Sequence, residues 1–119
     1  MMDPRRQFGN AGEDLAANYL EGKGYVVIDR QWRCVYGEID LVCKQNDEWV
    51  FIEVKSRNDD QYGFPEDAVT ATKRRHLAAC ADQYLLEHHQ NDVPWRVDVI
   101  AIEFDVSPPN IVHIEAIDI

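Results

Sequence analysis

Two neighbouring stretches of the chain set charge among apolar residues: Gly37-Glu38-Ile39-Asp40-Leu41-Val42 and, after a short polar turn, Phe51-Ile52-Glu53-Val54-Lys55. Both read as strands covered on both faces, where an unpaired carboxylate is expensive. Two carboxylates and an ammonium in such surroundings suit a divalent cation. A hard ion such as Mg²⁺ takes one or two carboxylates and keeps several waters. Asp40 and Glu53 are the candidate ligands, with the Val54 carbonyl beside them; Mg²⁺ is the expected ion and Mn²⁺ its substitute. This is the equipment of phosphodiester hydrolysis, in which the cation activates water and offsets the phosphate charge. Lys55 would position or deprotonate that water and balance charge in the transition state. The competing explanation is a buried Asp/Glu–Lys ion-pair cluster that holds no metal.

The two acids meet only in one hairpin register. If Asn46-Asp47 forms a two-residue turn, in which Asn tolerates positive φ, then Lys44 faces Trp49, Val42 faces Phe51 and Asp40 faces Glu53. Directly opposed residues share a face, with Cβ atoms about 4.5–5.5 Å apart. Lys55, two residues beyond Glu53, shares that face. A one-residue slip would put the acids on opposite faces. By the same alternation Glu38 points with Asp40, either as a supporting acid or as a solvated charge at the strand end.

The surrounding elements follow from periodicity and breakers. Arg5 to Lys23 predicts a helix, with Phe8, Gly12, Leu15, Ala16 and Tyr19 on one stripe and Gly22 and Gly24 as the stop. Tyr25 to Arg30 predicts a strand, followed by strands over Glu38–Lys44 and Trp49–Lys55. Residues 57–65 are polar and rich in breakers, hence a loop. Thr70 is a plausible cap for a helix running to about Gln90. Strands over Trp95–Ile102 and Ile111–Ile117 follow, joined by a turn at Ser107-Pro108-Pro109-Asn110. The order α-β-β-β-α-β-β gives an α/β sandwich with a mixed sheet.

Helical phase then selects among charged residues. Glu13 lies beside Leu20 at the edge of the apolar stripe and can lean over the sheet, to act through water or at a second ion; Asp14 points to solvent. On the second helix Leu77, Cys80, Ala81, Tyr84 and His88 form the inward stripe, Lys73 extends it, Arg74 sits at its margin and Arg75 faces outward. Three cations at a helix N-terminus oppose the macrodipole and suit a phosphate; pairing with Asp59, Asp60, Glu66 or Asp67 is the alternative.

Composition limits the function classes. The chain has 119 residues, which is one domain, and a net charge of −10, which works against general nucleic-acid binding. The basic residues are uneven: 11 of 12 lie in residues 1–75, so a local basic rim is compatible with the total. No apolar run reaches a membrane span and the first residues lack a signal-like apolar segment. Three widely spaced cysteines without a CxxC pair indicate a reduced, cytoplasmic protein, with the cysteines as core fillers. His76, His88, His89 and His113 show no zinc spacing. Arg96 and Asp98 share a strand face and suit a structural pair. Trp32, Tyr62 and Phe64 could stack on bases, although packing is the commoner use of such residues.

Asp40, a gap of twelve residues, then Glu53-Val54-Lys55 resembles the core of PD-(D/E)XK nucleases. Glu13 on the preceding helix looks like the extra acid of archaeal Holliday junction resolvases. The fuller pattern resembles the uncharacterised bacterial YraN-type family: Gly12-Glu13-Asp14-Leu15-Ala16, Gly37 to Val42, Phe51-Ile52-Glu53-Val54-Lys55-Ser56-Arg57, Ala68-Val69-Thr70 with Lys73, and Arg96-Val97-Asp98-Val99. The resemblance implies a restriction-endonuclease-like αβββαββ core spanning residues 1–119, with a central mixed sheet flanked by helices. It implies a Mg²⁺-dependent nuclease site of Glu13, Asp40, Glu53 and Lys55, with Arg57, Lys73 and Arg74 as nucleic-acid contacts. The resemblance implies no known substrate; the expected one is DNA, branched or Holliday-junction-like, and two-fold junctions suit a homodimer. The chain departs from resolvases in charge, since those are generally basic. The other expectation is a non-catalytic module that binds nucleic acid or a basic protein partner.

Overall fold

The computed structural model describes residues 4–57 and 69–119, with side chains from residue 11 onward except that of Arg57. Helix α1 spans Pro4–Gly22, strands β1, β2 and β3 span Val26–Cys34, Gly37–Gln45 and Glu48–Arg57, helix α2 spans Ala71–Glu87, and strands β4 and β5 span Trp95–Glu103 and Asn110–Ile114. The strands lie in the order β1-β2-β3-β4-β5. All neighbours are antiparallel except β3 and β4, which are parallel and joined through α2. This is the α/β architecture expected for a restriction-endonuclease-like core.

The sheet divides the interior in two. On one side Ala16, Ala17 and Leu20 of α1 pack on Leu41, Val50 and Ile52. On the other, Leu77, Cys80 and Tyr84 of α2 pack on Trp49, Phe51 and Val99. Tyr84 is fully buried and meets Trp32, Trp49 and Phe51 edge-on, with ring centroids 5.2, 5.8 and 5.8 Å away. Trp32 is thus a packing residue, not an exposed stacking platform. Tyr62, Phe64 and the acids proposed to pair with Lys73–Arg75 lie outside the described residues.

Helix ends follow local chemistry. Thr70 Oγ1 accepts from Lys73 N at 3.1 Å as the cap of α2, a contact worth about 1 kcal/mol. The helix ends earlier than its periodicity suggests, because His89 turns left-handed at φ 57 and Gln90 N bonds back to Leu85 O. His88 is therefore exposed at the C-cap, stacked on Tyr84, and Leu85 takes the buried place expected for it. At the end of α1, Tyr25 N returns to Leu20 O while Gly24 takes φ 91.

Two strands differ from expectation. β1 continues past Arg30 to Cys34 and forms a hairpin with β2 through Val35-Tyr36, where Cys34 pairs with Gly37. Val35 is 91% exposed and is no turn former, so nothing in its chemistry marks the hairpin; Gly37 absorbs the geometry at φ 141. β5 stops at Ile114 because the chain leaves the ladder to serve Asp98. Ala116, at φ 52, donates its N–H to Asp98 Oδ1 at 2.9 Å.

Asp98 is wholly buried, and its partners explain how. Arg96 Nε donates to Oδ1 at 3.0 Å and His113 Nε2 to Oδ2 at 2.7 Å. The same guanidinium binds Glu48, the Tyr25 hydroxyl and Gln45. Burial pushes the Asp98 carboxyl up, but the hydrogen bonds from His113 and Arg96 outweigh it and hold the group below the usual carboxylate range. The Arg96–Asp98 pair is thus a structural clamp between β4, β5 and the β2–β3 turn. Removing one partner of such a pair strands the other charge, at about 3–5 kcal/mol. Asp98→Ala is expected to lose about that much in urea unfolding with an unchanged m-value; a midpoint within experimental error of wild type would show that the network contributes nothing net.

Candidate functional site: a fork in the sheet

The β2–β3 hairpin has the register inferred from its two-residue turn: Lys44 faces Trp49, Val42 faces Phe51 and Leu41 faces Ile52, with Asn46 at φ 55. The ladder ends there. From Asp40 outward β2 pairs only with β1, and from Glu53 outward β3 pairs only with β4. Strict alternation predicts Asp40 opposite Glu53, but the two are not ladder partners. Asp40 Oδ2 instead accepts the Val54 N–H at 2.8 Å, replacing a main-chain carbonyl at the point where the strands part. Ile39 joins the core under α2 and Leu41 the core under α1, although two residues apart, so β2 turns over at Asp40. Glu38 consequently does not follow the simple alternation; it sits near Arg33, Nε to Oε1 3.5 Å.

Glu53 is 4% exposed, on the α2 side of β3. Its Oε1 lies 3.5 Å from Lys55 Nζ and 3.8 Å from Lys73 Nζ at the start of α2. Its Oε2 is buried and has no hydrogen-bond partner among the described residues. Glu13 projects from α1 and is 7% exposed, while Asp14 next to it is exposed and bound to Arg30 at 2.6 Å. Glu13 Oε2 accepts from Gln31 Nε2 at 3.2 Å; its Oε1 is buried without a hydrogen bond among the described residues, 3.9 Å from the Arg30 guanidinium. Gly12 lets α1 approach this closely, since a Cβ there would collide with Ser56 Oγ on β3.

Electrostatics marks the same group. Burial, and then the charge of Glu53, pushes Asp40 up to about 7, against the Val54 hydrogen bond. Burial raises Glu53, opposed by Lys73 and Lys55, and raises Glu13, opposed by the Gln31 hydrogen bond and Arg30. Glu53 thus gathers Lys55 and Lys73, and the charges of Glu53 and Glu13 both act on Asp40. Arg74 is directed elsewhere: its guanidinium donates to the carbonyls of Val69 and Asp118. The side chain of Arg57 lies outside the described residues. Cys34 and Cys80, distant in sequence, meet with sulfurs 3.4 Å apart. A cleft of about 390 Å³ among the described residues, lined by Asp82, Leu86 and Trp95, lies at the far end of α2, away from the fork.

Gln31 is the residue that motif and phase miss. It sits at φ 51 inside β1, between the pairs Arg30–Leu41 and Trp32–Ile39, at the level of Asp40. A left-handed non-glycine residue costs about 1–2 kcal/mol. An interrupted ladder is not visible in residue types.

The family profile described as "Uncharacterised protein family UPF0102" matches residues 12–102. The chain belongs to this family. UPF0102 is the YraN-type family that the motifs resemble. A UPF0102 protein from Chloroflexus aurantiacus is 45% identical over 106 residues, covering 86% of this chain and 83% of the relative. One from Roseiflexus castenholzii is 41% identical over 103 residues, with coverage of 86% and 83%. Another, from Phocaeicola vulgatus, is 41% identical over 114 residues, covering 96% and 93%. The matched UPF0102 region contains Glu13, Asp40, Glu53, Lys55 and Lys73. No helix among the described residues is long and apolar enough to cross a membrane.

A carboxyl whose folded value is raised binds its proton in the native state at pH values where the unfolded chain has released it. The Asp40 contribution to stability is therefore present below about pH 4 and is lost as pH rises through about 7. In chelator, the melting temperature is expected to fall between pH 5 and 8, and Asp40→Asn is expected to flatten that slope. A slope identical in the two proteins would contradict the raised value of Asp40.

Proposed function

We propose that this UPF0102 chain is a divalent-cation-dependent phosphodiesterase of nucleic acids. The observation that carries this reading is the orphaned Oε2 of Glu53, buried beside an Asp40 whose proton is loosely held near neutral pH. A buried acceptor left without a partner costs about 1–3 kcal/mol, more when charged; a cation removes that cost. Among the described residues no three His, Cys, Asp or Glu side chains form a ready-made ligand cluster. Mg²⁺ is commonly held by one or two carboxylates and completes its shell with water and phosphate oxygens.

In this reading Asp40 and Glu53 hold the ion, with the Val54 carbonyl as a candidate third ligand. The ion supplies positive charge against the phosphate and acidifies water. Lys55, held by Glu53, points a charged donor at the attacking water and the phosphate oxygens. Lys73 balances the second charge on Glu53 and stands ready for a phosphate at the entrance to α2. Glu13 acts from the opposite helix on a water. Branched DNA is the substrate favoured by the likeness of Glu13 to the extra acid of resolvases. The net charge of −10 favours a second reading, a non-catalytic module for a basic protein partner.

Calorimetry with Mn²⁺ and Mg²⁺ is expected to show binding that tightens from pH 6 to 8, as the competing proton leaves Asp40, and that disappears in Asp40→Ala. Cleavage of branched, flapped, single-stranded and duplex DNA and RNA is expected to need the metal and to drop at least about 100-fold in Glu53→Ala and Lys55→Ala. Cleavage that survives both substitutions comes from another enzyme; metal binding without any cleavage supports the second reading.

A further inference from the structure

Gln31 violates the rules of its strand, and the violation faces the fork. It is a non-glycine residue at φ 51 in the middle of β1, on the strand that pairs with the Asp40 arm of β2. Residues in such conformations persist where their surroundings over-determine them, commonly at binding sites. The surroundings here are specific: the Gln31 amide donates to Glu13 Oε2 at 3.2 Å, while Glu13 Oε1 stays buried without a hydrogen bond among the described residues. The neighbouring Arg30 is the competitor. Its guanidinium already binds Asp14 at 2.6 Å and stands 3.9 Å from Glu13 Oε1. A glutamate released from Gln31 would close that gap and become an ordinary ion pair between α1 and β1.

We propose that Gln31 is a positioning residue of the fork: its left-handed backbone brings the side-chain amide over Glu13 and fixes the carboxylate so that one oxygen stays available to the cation or its water. The inference rests on the cation reading of the site. It separates two demands that usually coincide. Glycine would satisfy the backbone better than glutamine does, yet it would leave Glu13 unheld. Asparagine keeps an amide and is well tolerated at positive φ, one methylene shorter.

The test compares wild type, Gln31→Gly and Gln31→Asn by metal-free crystal structures, thermal unfolding and Mn²⁺ calorimetry. Gln31→Gly is expected to melt no lower than wild type, to show Glu13 turned onto Arg30, and to bind Mn²⁺ about 10-fold more weakly, the usual loss when a residue that orients a ligand is removed. Gln31→Asn is expected to recover part of that affinity. A Glu13 carboxylate unmoved in Gln31→Gly overturns the proposal, as does Mn²⁺ affinity equal to that of wild type. If wild type itself binds no Mn²⁺, the cation reading fails, and the Glu13 position in the metal-free crystals still decides the role of Gln31.

Discussion

The fold turns on one hydrogen bond, from the Val54 N–H to the carboxylate of Asp40. In a continuous antiparallel ladder that N–H would be met by main chain. Here a side chain meets it, and the two halves of the sheet are free to part. One arm keeps β1 with β2, the other keeps β3 with β4. Because main-chain donors must be satisfied when buried, Asp40 is bound to the point of separation, where Glu53 begins the other arm. Position and chemistry are set by the same contact. Replacing Asp40 by an apolar residue would remove the carboxylate and also leave a strand donor unpaired.

The molecule contains its own control for a buried acid. Asp98 is as deeply enclosed as Glu53, and the chain surrounds it with an arginine, a histidine and a main-chain N–H. Its carboxyl is held below the ordinary range. Glu53 receives two lysines at longer range on one oxygen and, among the described residues, no hydrogen bond on the other, and its carboxyl is raised. The two acids sit on adjacent parallel strands, one register step apart, since Ile52 pairs with Asp98 and Glu53 with Val99. The same scaffold can evidently satisfy a carboxylate completely. At Glu53 it does not, and that difference is what the proposed cation reading addresses.

Much of this was legible in residue order. Periodicity located both helices and all five strands, and the Asn46-Asp47 turn set the hairpin register down to Leu41 and Ile52. Helical phase separated Glu13 from Asp14 because burial of a helix side follows directly from spacing. The failures share a cause. Alternation assumes an unbroken ladder, so it paired Asp40 with Glu53 across the very step where the ladder opens. It also ended β1 at Arg30, because a left-handed Gln31 and an exposed Val35-Tyr36 turn go against local preference and are imposed by tertiary contacts. Cys34 and Cys80 met for the same reason: the longer β1 carries Cys34 to α2.

The acidity of the chain takes on a different meaning at the fork. A nucleic acid approaching a surface of net charge −10 meets repulsion, and two like charges 4 Å apart at an effective dielectric near 20 repel by about 4 kcal/mol. Lys55 and Lys73 do not offset this freely, because both stand close to Glu53 and are partly neutralised by it. In the proposed reading the cation changes that balance. A cation held by Glu53 and Asp40 would neutralise the internal partner of the two ammonium groups and leave their charge for a phosphate, so that metal binding would favour polyanion binding. Such coupling would make affinity for nucleic acid depend on the divalent ion more steeply than on the number of basic residues, which is how an acidic protein can select one kind of backbone geometry while repelling nucleic acid in general.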